Sequence, residues 1–295
     1  MSTLEWIWFV LLSVLFLILV EVWRSAHTLG LTRLELPIKN LPSDFEGFKI
    51  CHLSDFHSTN FVENDALLES ILKEKPDVIV VTGDMADCKK DPNSSDFFVL
   101  LDQLEGKIPC YCSLGNHELR IGRGKPPVWL CNAIEEAGCT VLDNRGVALN
   151  RGNSRLYLYG YLQPLEDVSQ RRIRTARLRQ DVTACQVDEA LGPCPQDAPV
   201  VLLAHDPSPF PAYAKWGAAL TLSGHIHGGM IRLPLVGGVV SPNRALFPKY
   251  DAGLFESAGR LLYVSRGLGE SMVPRFFNTA EAVFLTLHQD HGKNT

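Results

Sequence analysis

Residues 77–84 read DVIVVTGD, a short apolar run that ends in glycine and aspartate. A run of β-branched apolar residues without alternation is typical of a strand buried on both faces, as in a parallel sheet covered by helices. Gly83 ends the predicted strand, and Asp84 follows it directly. Because sites in open α/β sheets form at the carboxyl ends of strands, Asp84 is the first candidate functional residue.

The sequence on both sides of this run alternates between strand and helix patterns. Strands are predicted at 48–54 and 108–114, and helices are predicted at 63–75, 94–106 and 126–138. This alternation predicts an α/β fold in which parallel strands are flanked by helices. Further strands, the first two adjacent and antiparallel, are predicted at 146–150, 155–162, 199–204, 218–223, 260–265 and 281–287.

Residues 163–197 interrupt this pattern with a polar, irregular segment. Within it, residues 171–179 read RRIRTARLR and carry five arginines in nine positions. A solvated helix face is the favoured interpretation of such a charge run. A basic patch near a membrane surface or a phosphate-bearing substrate is the alternative, and the sequence leaves the role of this segment open.

The N-terminal segment is apolar enough to cross a membrane. Residues 6–23 read WIWFVLLSVLFLILVEVW, with tryptophan at both ends, as expected for a span whose ends lie at the headgroup level. We therefore predict a membrane anchor over 1–24, a linker over 25–46 and one domain over 47–295. The alternative, a cleaved signal peptide, would need a basic residue before the run and a clear cleavage site after it.

Charge around the anchor predicts its orientation. No lysine or arginine precedes the span, whereas Arg24, Arg33 and Lys39 follow it. By the positive-inside rule, the protein is expected to be a single-pass protein of the cell membrane with its large domain on the cytoplasmic side.

Composition excludes some classes of partner and site. The chain has 295 residues, is 46% hydrophobic and carries a net charge of −5, so it is expected to fold and to have no nucleic-acid partner. Its eight cysteines include no C-x-x-C pair, which argues against a zinc ribbon or a thioredoxin-like site. We expect buried thiols in a reducing compartment, with a Cys185–Cys194 disulfide as the alternative outside the cell.

Five predicted strands end in polar residues that are able to bind metal ions. The segments LSDFHS, TGDMAD, LGNHE, LAHDP and SGHIHGG contribute Asp55, His57, Asp84, Asn116, His117, His205, His225 and His227. Carboxylates, imidazoles and an amide oxygen without a thiolate suit Mn, Fe or a catalytic Zn. One ion cannot use all these ligands, whereas two ions ~3.5–4 Å apart that share a carboxylate can. Such a pair holds both the nucleophile and a phosphoryl oxygen during displacement at phosphorus.

The spacing of two residues within these motifs suggests a common direction. In an extended chain, side chains at positions i and i+2 point to the same side. His225 and His227 are therefore expected to aim at one point in space, and Asp55 and His57 share the same spacing.

The motifs D-x-H, G-D-x-x-D, G-N-H-E, a lone histidine and G-H-x-H follow one another from Asp55 to His227. In this order they closely resemble those of the calcineurin-like metallophosphoesterases. The anchor, together with LSGHIHGGMIRLP and LYVSRGLG, is similar to the bacterial membrane-anchored branch of that superfamily. The resemblance implies an α/β fold, a four-layer α/β/β/α sandwich of two mixed sheets, with an N-terminal transmembrane helix.

The resemblance also implies roles for the eight polar residues. Asp55, His57 and His227 would hold a first metal ion, Asn116, His205 and His225 a second, and Asp84 would bridge the two. His117 would be catalytic without being a ligand, as a proton donor to the leaving group or a stabiliser of developing charge. Mn is the expected metal, with Fe or Zn as alternatives.

The expected activity is hydrolysis of a phosphodiester or pyrophosphate bond by attack of a metal-bridging hydroxide. The substrate would be a phosphate-ester small molecule or a lipid-linked molecule. A protein Ser/Thr phosphatase is excluded, because that branch has Asp-Arg-Gly where this chain has Asp87, Cys88 and Lys89. The alternative is a non-catalytic, membrane-tethered binding module on the same scaffold, which should have lost ligands that this chain retains.

Other polar residues near the motifs have structural interpretations. Glu118 is predicted to orient a ligand or a loop, and Asp87 to order the loop after Asp84. His52 stands three residues before Asp55, so it is predicted to point away from the site and into the core. Four arginines in or beyond the loop after His227 are candidate phosphate contacts, although surface arginines rarely have so specific a role: Arg232, Arg244, Arg266 and Arg275.

Overall fold

The apolar run in DVIVVTGD forms a strand at Val78–Thr82, and every residue of this strand is buried. The computed structural model describes residues 2–57, 65–86, 95–166, 176–242, 245–269 and 274–290. In spatial order, the first sheet consists of β1 (Leu29–Ile38), β14 (Ala280–Gln289), β2 (Phe48–Leu53), β3 (Val78–Thr82), β4 (Cys110–Ser113) and β5 (Cys139–Val141). Strands β2, β3 and β4 are parallel, as predicted, and β5, which was not predicted, continues the parallel pairing, whereas β14 runs antiparallel to β2.

The second sheet also has six strands and is also mixed. In spatial order, it consists of β12 (Gly253–Ser257), β13 (Arg260–Val264), β9 (Leu220–Ser223), β8 (Val200–Ala204), β7 (Ser154–Tyr161) and β6 (Arg145–Arg151). Strands β7, β8, β9 and β13 are parallel, and the two edge strands β6 and β12 are antiparallel to their neighbours. A short hairpin, β10 (Arg232–Leu233) and β11 (Gly237–Gly238), lies outside both sheets.

Five helices cover the outer faces of the two sheets: α2 (Ala66–Glu74), α3 (Asp96–Leu104), α5 (Val128–Glu136), α6 (Ala184–Leu191) and α7 (Phe210–Trp216). The described residues also form α1 (Thr3–His27) and α4 (Asn116–Ile121). Apolar residues of α2, α3 and α5 pack with the first sheet, and those of α6 and α7 pack with the second. Between the sheets, Val80 and Leu285 share one buried cluster with Leu203 and Leu222. The predicted α/β/β/α sandwich is therefore confirmed.

The segment expected to be a linker, residues 25–46, is mostly part of this sandwich. Helix α1 continues to His27, and β1 then pairs in parallel with β14 over its whole length. Leu36, Ile38 and Phe45 are buried in the core between the sheets. Because β1 is an edge strand, it tolerates Pro37 and shows only a weak alternation, which is why the sequence pattern did not reveal it.

Helix α1 is long and apolar enough to span a membrane by length and composition. Its apolar side chains from Leu4 to Trp23 are exposed, whereas Ser25 in the last turn is buried against the domain. This helix contains the whole of the apolar run 6–23.

Three helices lie where the sequence analysis predicted irregular structure or no element at all. Helix α6 falls within the polar segment 163–197, α7 follows the loop after β8, and α4 begins within the G-N-H-E motif. Most of the arginine-rich stretch 171–179 lies outside the described residues. In its described part, Leu178 forms an isolated antiparallel bridge with Leu165.

Candidate metal centre

The candidate site lies where the carboxyl ends of five parallel strands meet. Strands β2, β3 and β4 of the first sheet, and β8 and β9 of the second, each end one to three residues before one of the polar motifs. The structure brings together all eight residues predicted from sequence: Asp55, His57, Asp84, Asn116, His117, His205, His225 and His227. Six of them are buried, and His57 and His117 are half-buried.

The motifs leave the extended conformation before they reach the site. Asp55, His57, Asp84, His225 and His227 all have positive φ angles, between 37° and 66°. The expectation that these motifs are extended is therefore wrong, although Asp55 and His57 still converge in one group. Non-glycine residues rarely adopt this conformation, and such residues cluster at functional sites where the surrounding structure holds them in place.

Close backbone contacts explain the glycines in the motifs. A Cβ atom on Gly224 would lie 1.9 Å from Ser54 Oγ and 2.3 Å from Asp55 Oδ2. A Cβ atom on Gly115 would lie 2.3 Å from Asp84 Oδ1. Since these contacts are far shorter than any real Cβ contact, only glycine at position 224 lets loops of the two sheets approach each other, and only glycine at position 115 lets the loops after β3 and β4 do so.

The first group of candidate ligands consists of Asp55, His57 and His227. One potential ligand atom from each residue lies within 4.8 Å of the others. His227 Nε2 is 3.5 Å from Asp55 Oδ1, and the rings of His57 and His227 are stacked with centroids 5.2 Å apart. The backbone N–H of His225 donates to both oxygens of Asp55, which fixes that carboxylate.

The second group consists of Asp84, His205 and His225. One potential ligand atom from each of these residues also lies within 4.8 Å of the others. Asp84 Oδ2 lies 3.1 Å from His205 Nε2 and 3.8 Å from His57 Nε2. The Asp84 carboxylate therefore faces a histidine of each group. His225 and His227 belong to different groups, so the two histidines of the G-H-x-H motif do not aim at one point.

Asn116 begins α4 beside the second group. The side-chain oxygen and nitrogen of Asn116 can be told apart only by the groups that they contact. The one that lies nearer the site is 2.8 Å from His225 Nδ1. The other amide position lies 3.3 Å from the backbone nitrogen of His117 and 3.1 Å from Arg120 Nη1. Hydrogen bonds within the protein favour the orientation in which the amide oxygen faces these two donors. A cation beside His225 would favour the opposite orientation, in which the oxygen faces the site.

His117 lies on the half-buried side of the cluster. Its ring centroid is 4.6 Å from that of His57, and a potential ligand atom of His117 lies within 4.8 Å of those of His57 and Asp84. The backbone N–H of His117 donates to Asp84 Oδ1 over 2.8 Å. Its backbone thus positions the Asp84 carboxylate, while its side chain lies at the edge of the cluster.

The burial of so many ionisable groups shifts their pKa values in opposite directions. Burial raises the pKa of Asp55 to about 6, with a further contribution from the neighbouring Asp84. Burial likewise lowers the pKa of His225 to about 4 and that of His227 well below its usual value. These two imidazoles are therefore neutral at pH 7, which is the state in which histidine binds a metal ion.

Asp84 and His205 behave as a closely coupled pair. Burial opposes both charges, yet the attraction of His205 holds the pKa of Asp84 well below its usual value. In the same way, burial disfavours the imidazolium of His205, but Asp84 and Asp55 outweigh it and raise its pKa to about 10. In this pair a proton on His205 supplies the positive charge that the two buried carboxylates require.

The residues fit divalent cations. Among the described residues, buried His227 Nδ1 has no hydrogen-bond partner, although buried polar atoms are nearly always paired. Two buried carboxylates and five imidazoles, including that of half-buried His117, converge here. The donors are oxygen and imidazole nitrogen, a set that suits Mn, Fe and catalytic Zn.

A second set of contacts holds these side chains in place. Glu118, fully buried, accepts hydrogen bonds from the backbone N–H groups of Asp84, Ala86 and Gly115. This agrees with the prediction that Glu118 orients a loop. Burial, followed by the charge of Asp84, raises the pKa of Glu118. His205 Nδ1 lies 2.5 Å from the carbonyl oxygen of Thr82, which orients the ring.

Asn278 has a positioning role that the sequence analysis missed. Its Nδ2 atom donates to the carbonyl oxygens of His227, over 2.6 Å, and of Met230, over 3.1 Å. Asn278 stands just before β14, far from the motifs in sequence, so no spacing rule could have revealed it.

His52 lies in the core, as predicted. It is fully buried, its Nε2 atom is 2.8 Å from Thr82 Oγ1, and burial lowers its pKa to about 3. Two of the candidate phosphate-binding arginines have structural partners instead. Arg275 is buried and donates to the carbonyl oxygens of Gly267 and Gly269, and Arg232 pairs with Asp251. Asp87 and Arg244 lie outside the described residues.

The sandwich and the cluster of aspartate, histidine and asparagine at its joined strand ends define a metal-dependent phosphoric ester hydrolase. The chain belongs to the calcineurin-like phosphoesterase family, whose pattern matches residues 48–229. This match extends from the first residue of β2 through the G-H-x-H motif, and therefore contains all eight residues of the cluster.

Three relatives illustrate the range of this family. The chain is 29% identical over 270 residues to the uncharacterized metallophosphoesterase YkuE of Bacillus subtilis, covering 90% of this chain and 87% of the relative. It is 30% identical to the phosphodiesterase YaeI of Escherichia coli, covering 75% of each chain. It is 26% identical to the UDP-2,3-diacylglucosamine pyrophosphatase LpxG of Chlamydia muridarum, covering 90% of this chain and 92% of the relative.

Proposed function

We propose that this protein is a membrane-anchored phosphoesterase that uses two metal ions to hydrolyse a phosphodiester or pyrophosphate bond. One observation carries the proposal: the Asp84 carboxylate, a member of the second group of candidate ligands, also lies 3.8 Å from His57 of the first group. A carboxylate in that position can bind two cations at once, as in enzymes that catalyse in-line displacement at phosphorus.

In this proposal, Asp55, His57 and His227 hold the first ion, and Asn116, His205 and His225 hold the second. Asp84 bridges them. When bound, the two divalent cations supply an activated water nucleophile and neutralise charge on the phosphoryl group. We expect Mn, because the donor set combines carboxylate, imidazole and amide oxygen without a thiolate, and Fe and Zn are the alternatives.

His117 acts on the substrate in this proposal, not on the metal ions. Its half-buried side chain lies on the accessible side of the cluster, next to His57. From there the imidazolium can protonate the leaving oxygen or stabilise a non-bridging phosphoryl oxygen. Glu118 and Asn278 orient the loops of Asp84 and His227 without touching the substrate.

The proposed location is a membrane that α1 crosses once. Its exposed apolar surface and its length of 25 residues support this placement. The basic residues after α1 favour the cytoplasmic side for the domain. A lipid-linked phosphodiester or pyrophosphate is a suitable substrate for an enzyme held at a bilayer, and the relative LpxG, named for such a pyrophosphatase activity, supports this class.

The test is an assay of the full chain in detergent micelles, loaded with Mn, on a soluble phosphomonoester and a soluble phosphodiester. Cleavage of the diester by the wild type, and its loss in Asp84→Asn, would support the proposal. Equal, slow turnover by both proteins would indicate a contaminating enzyme and would favour the non-catalytic binding module instead.

A further inference from the structure

The helix α1 enters the domain at the same end of the sandwich as the candidate metal centre. The first pair between β1 and β14 is Leu29 with Ala280. Because β14 is antiparallel to β2 and pairs Val283 with His52, the start of β14 lies beside the end of β2, just before Asp55. The end of α1 and the cluster therefore lie at the same end of the first sheet, where β2 ends and β1 and β14 begin.

Hydrogen bonds tie the last turns of α1 to the loops around the cluster. Glu21 accepts from the backbone N–H of Phe277 over 3.2 Å, and Ser25 accepts from that of Asn278 over 3.4 Å. Asn278 in turn donates to the carbonyl oxygen of His227. Phe276 accepts from the backbone N–H of Arg232 in the β10–β11 hairpin. A membrane around α1 would consequently lie close to this hairpin.

Large apolar side chains are exposed on these same loops. We call this set the apolar rim: Leu233, Leu235, Val236, Leu246, Phe247 and Phe277. Leu235, in the tip of the hairpin, is fully exposed, and Phe247 is 61% exposed. The two loops are continuous, since Phe247 donates its backbone N–H to the carbonyl oxygen of Val239.

Three residues of the apolar rim have a backbone conformation that large apolar residues rarely adopt. Leu235, Phe247 and Phe277 have φ angles of 66°, 49° and 47°. Turn positions of this kind usually carry glycine, asparagine or aspartate, and large apolar residues there are outliers. The chain thus presents leucine and phenylalanine to the outside at three positions where a polar residue or glycine would fit the backbone better.

We propose that the apolar rim inserts into the interfacial region of the bilayer that α1 crosses, so that the metal centre faces the membrane surface. The inference rests on the proposed membrane anchoring and names the partner surface, a lipid bilayer. Apolar side chains on a protein held at a membrane are stabilised by partition into the acyl boundary, and exposed apolar patches mark such contacts. A substrate with its phosphoester at headgroup depth would then reach the cluster without leaving the bilayer.

The test places an environment-sensitive fluorophore on the rim of the full chain in liposomes. Leu235→Cys is labelled with NBD in a Cys185→Ser background, because Cys185 is exposed and would also react. The matched control is Leu72→Cys, an exposed apolar residue near the end of α2 and thus at the opposite end of the sandwich. The Cys185→Ser parent without an added cysteine gives the background.

At position 235, we expect nitroxide-labelled lipids to quench the NBD emission and aqueous iodide to leave it unchanged. At position 72, we expect iodide to quench the emission and the nitroxide-labelled lipids to leave it unchanged. Quenching at 235 by iodide alone would overturn the proposal, because the rim would then face water. Protection from both quenchers would also overturn it, because a protein surface such as a second copy of the chain would cover the rim. This readout needs no turnover, so its failure is distinguishable from failure of the proposed enzymatic function.

A second variant tests the consequence for substrate access. Leu235→Asp combined with Phe247→Asp replaces apolar residues at positive φ by a residue that tolerates this conformation. We expect loss of turnover on a phosphodiester embedded in liposomes and unchanged turnover on a soluble phosphodiester. Equal turnover of the embedded substrate by the variant and the wild type would contradict a role of the rim in access.

Discussion

Both ends of the sandwich bring histidines against pairs of carboxylates, but in different surroundings. At the end opposite the candidate metal centre, called the far end below, His288 of β14 lies between Glu46 and Glu35 of β1. Glu46 is 2.5 Å away, and 37% of the His288 side chain is exposed. At the site end, imidazoles surround the buried carboxylates of Asp55 and Asp84. The far end has one histidine for two carboxylates, whereas the site end has four histidines in its two groups.

The difference shows why similar residues have different chemistry. Water and salt screen the exposed ion pairs of His288, so their net contribution to stability is small. Water cannot screen charge in this way at the site end, where burial raises the pKa of Asp55 and His227 Nδ1 has no hydrogen-bond partner among the described residues. Divalent cations would compensate the buried carboxylates and bind the imidazoles, whereas solvent already screens the carboxylates at the far end.

The substitution Asp84→Asn should have the largest effect, because it removes the charge between the two groups. We expect a loss of about 10³-fold or more in kcat, as for other groups that stabilise the transition state directly, together with loss of bound metal. The matched control is Asp77→Asn. Asp77 precedes the same strand, β3, at the far end, where its Oδ2 atom accepts from the backbone N–H of Lys49. Comparable losses in both variants would contradict a special role of the site end.

The substitution His117→Gln should lower kcat by about 10²- to 10⁴-fold, the range for loss of a general acid. Its metal content should remain that of the wild type, because the backbone N–H that holds Asp84 is unchanged. Measurement of metal content beside kcat separates the two roles. If His117→Gln lost metal in proportion to activity, His117 would be a ligand instead.

The substitution Glu118→Gln should weaken metal binding by about 10- to 100-fold, as for other groups that orient ligands. The two oxygens of Glu118 accept three backbone N–H groups, and an amide NH₂ cannot replace either oxygen as an acceptor. A titration with Mn, monitored by the melting temperature, measures this. Metal affinity equal to that of the wild type would show that the loops keep their positions without this carboxylate.

The substitution His288→Gln should have the smallest effect, on stability alone. Hydrogen bonds to Glu46 and Glu35 raise the pKa of His288 above its usual 6.5. Since the folded protein holds this proton to higher pH than the unfolded chain, the stabilisation is complete below pH 6.5 and is lost as pH rises through the raised pKa. After solvent screening it should amount to at most about 1 kcal/mol.

Urea unfolding of wild type and His288→Gln at several pH values, in detergent micelles, checks this prediction. The difference in the free energy of unfolding should shrink with rising pH and with added salt. Activity should not change at any pH. A difference that grew with pH would contradict the direction of the pKa shift.

Much of the fold could be predicted because its central strands are buried on both faces. Runs such as those of β3 and β8 have only one stable environment, so composition alone indicates a parallel sheet covered by helices. The edge strand β1 could not be found in this way, because half of its surface faces solvent and its pairing depends on β14, at the other end of the chain. Helix α6 was missed because tertiary packing, not a strong apolar pattern, stabilises it.

The residues of the cluster could also be predicted, because each stands within four residues of the end of a strand. Their conformation could not, since Asp55 and His227 have positive φ angles and their respective neighbours Gly224 and Asn278 lie far from them in sequence. The same holds for Asn278 and for the rim around Leu235, whose roles follow from contacts with α1 and the hairpin. Local sequence therefore determined which residues reach the site, and long-range packing determined how they face it.

The central claim is that Asp84 joins two metal ions, and electron paramagnetic resonance of the Mn-loaded full chain tests it most directly. Wild type should bind two Mn ions per chain and show the spectrum of an exchange-coupled pair, whereas Asp84→Asn should lose the coupling. Asp77→Asn should match the wild type. One uncoupled Mn ion per chain in the wild type, or the same coupled spectrum in Asp84→Asn, would contradict the account.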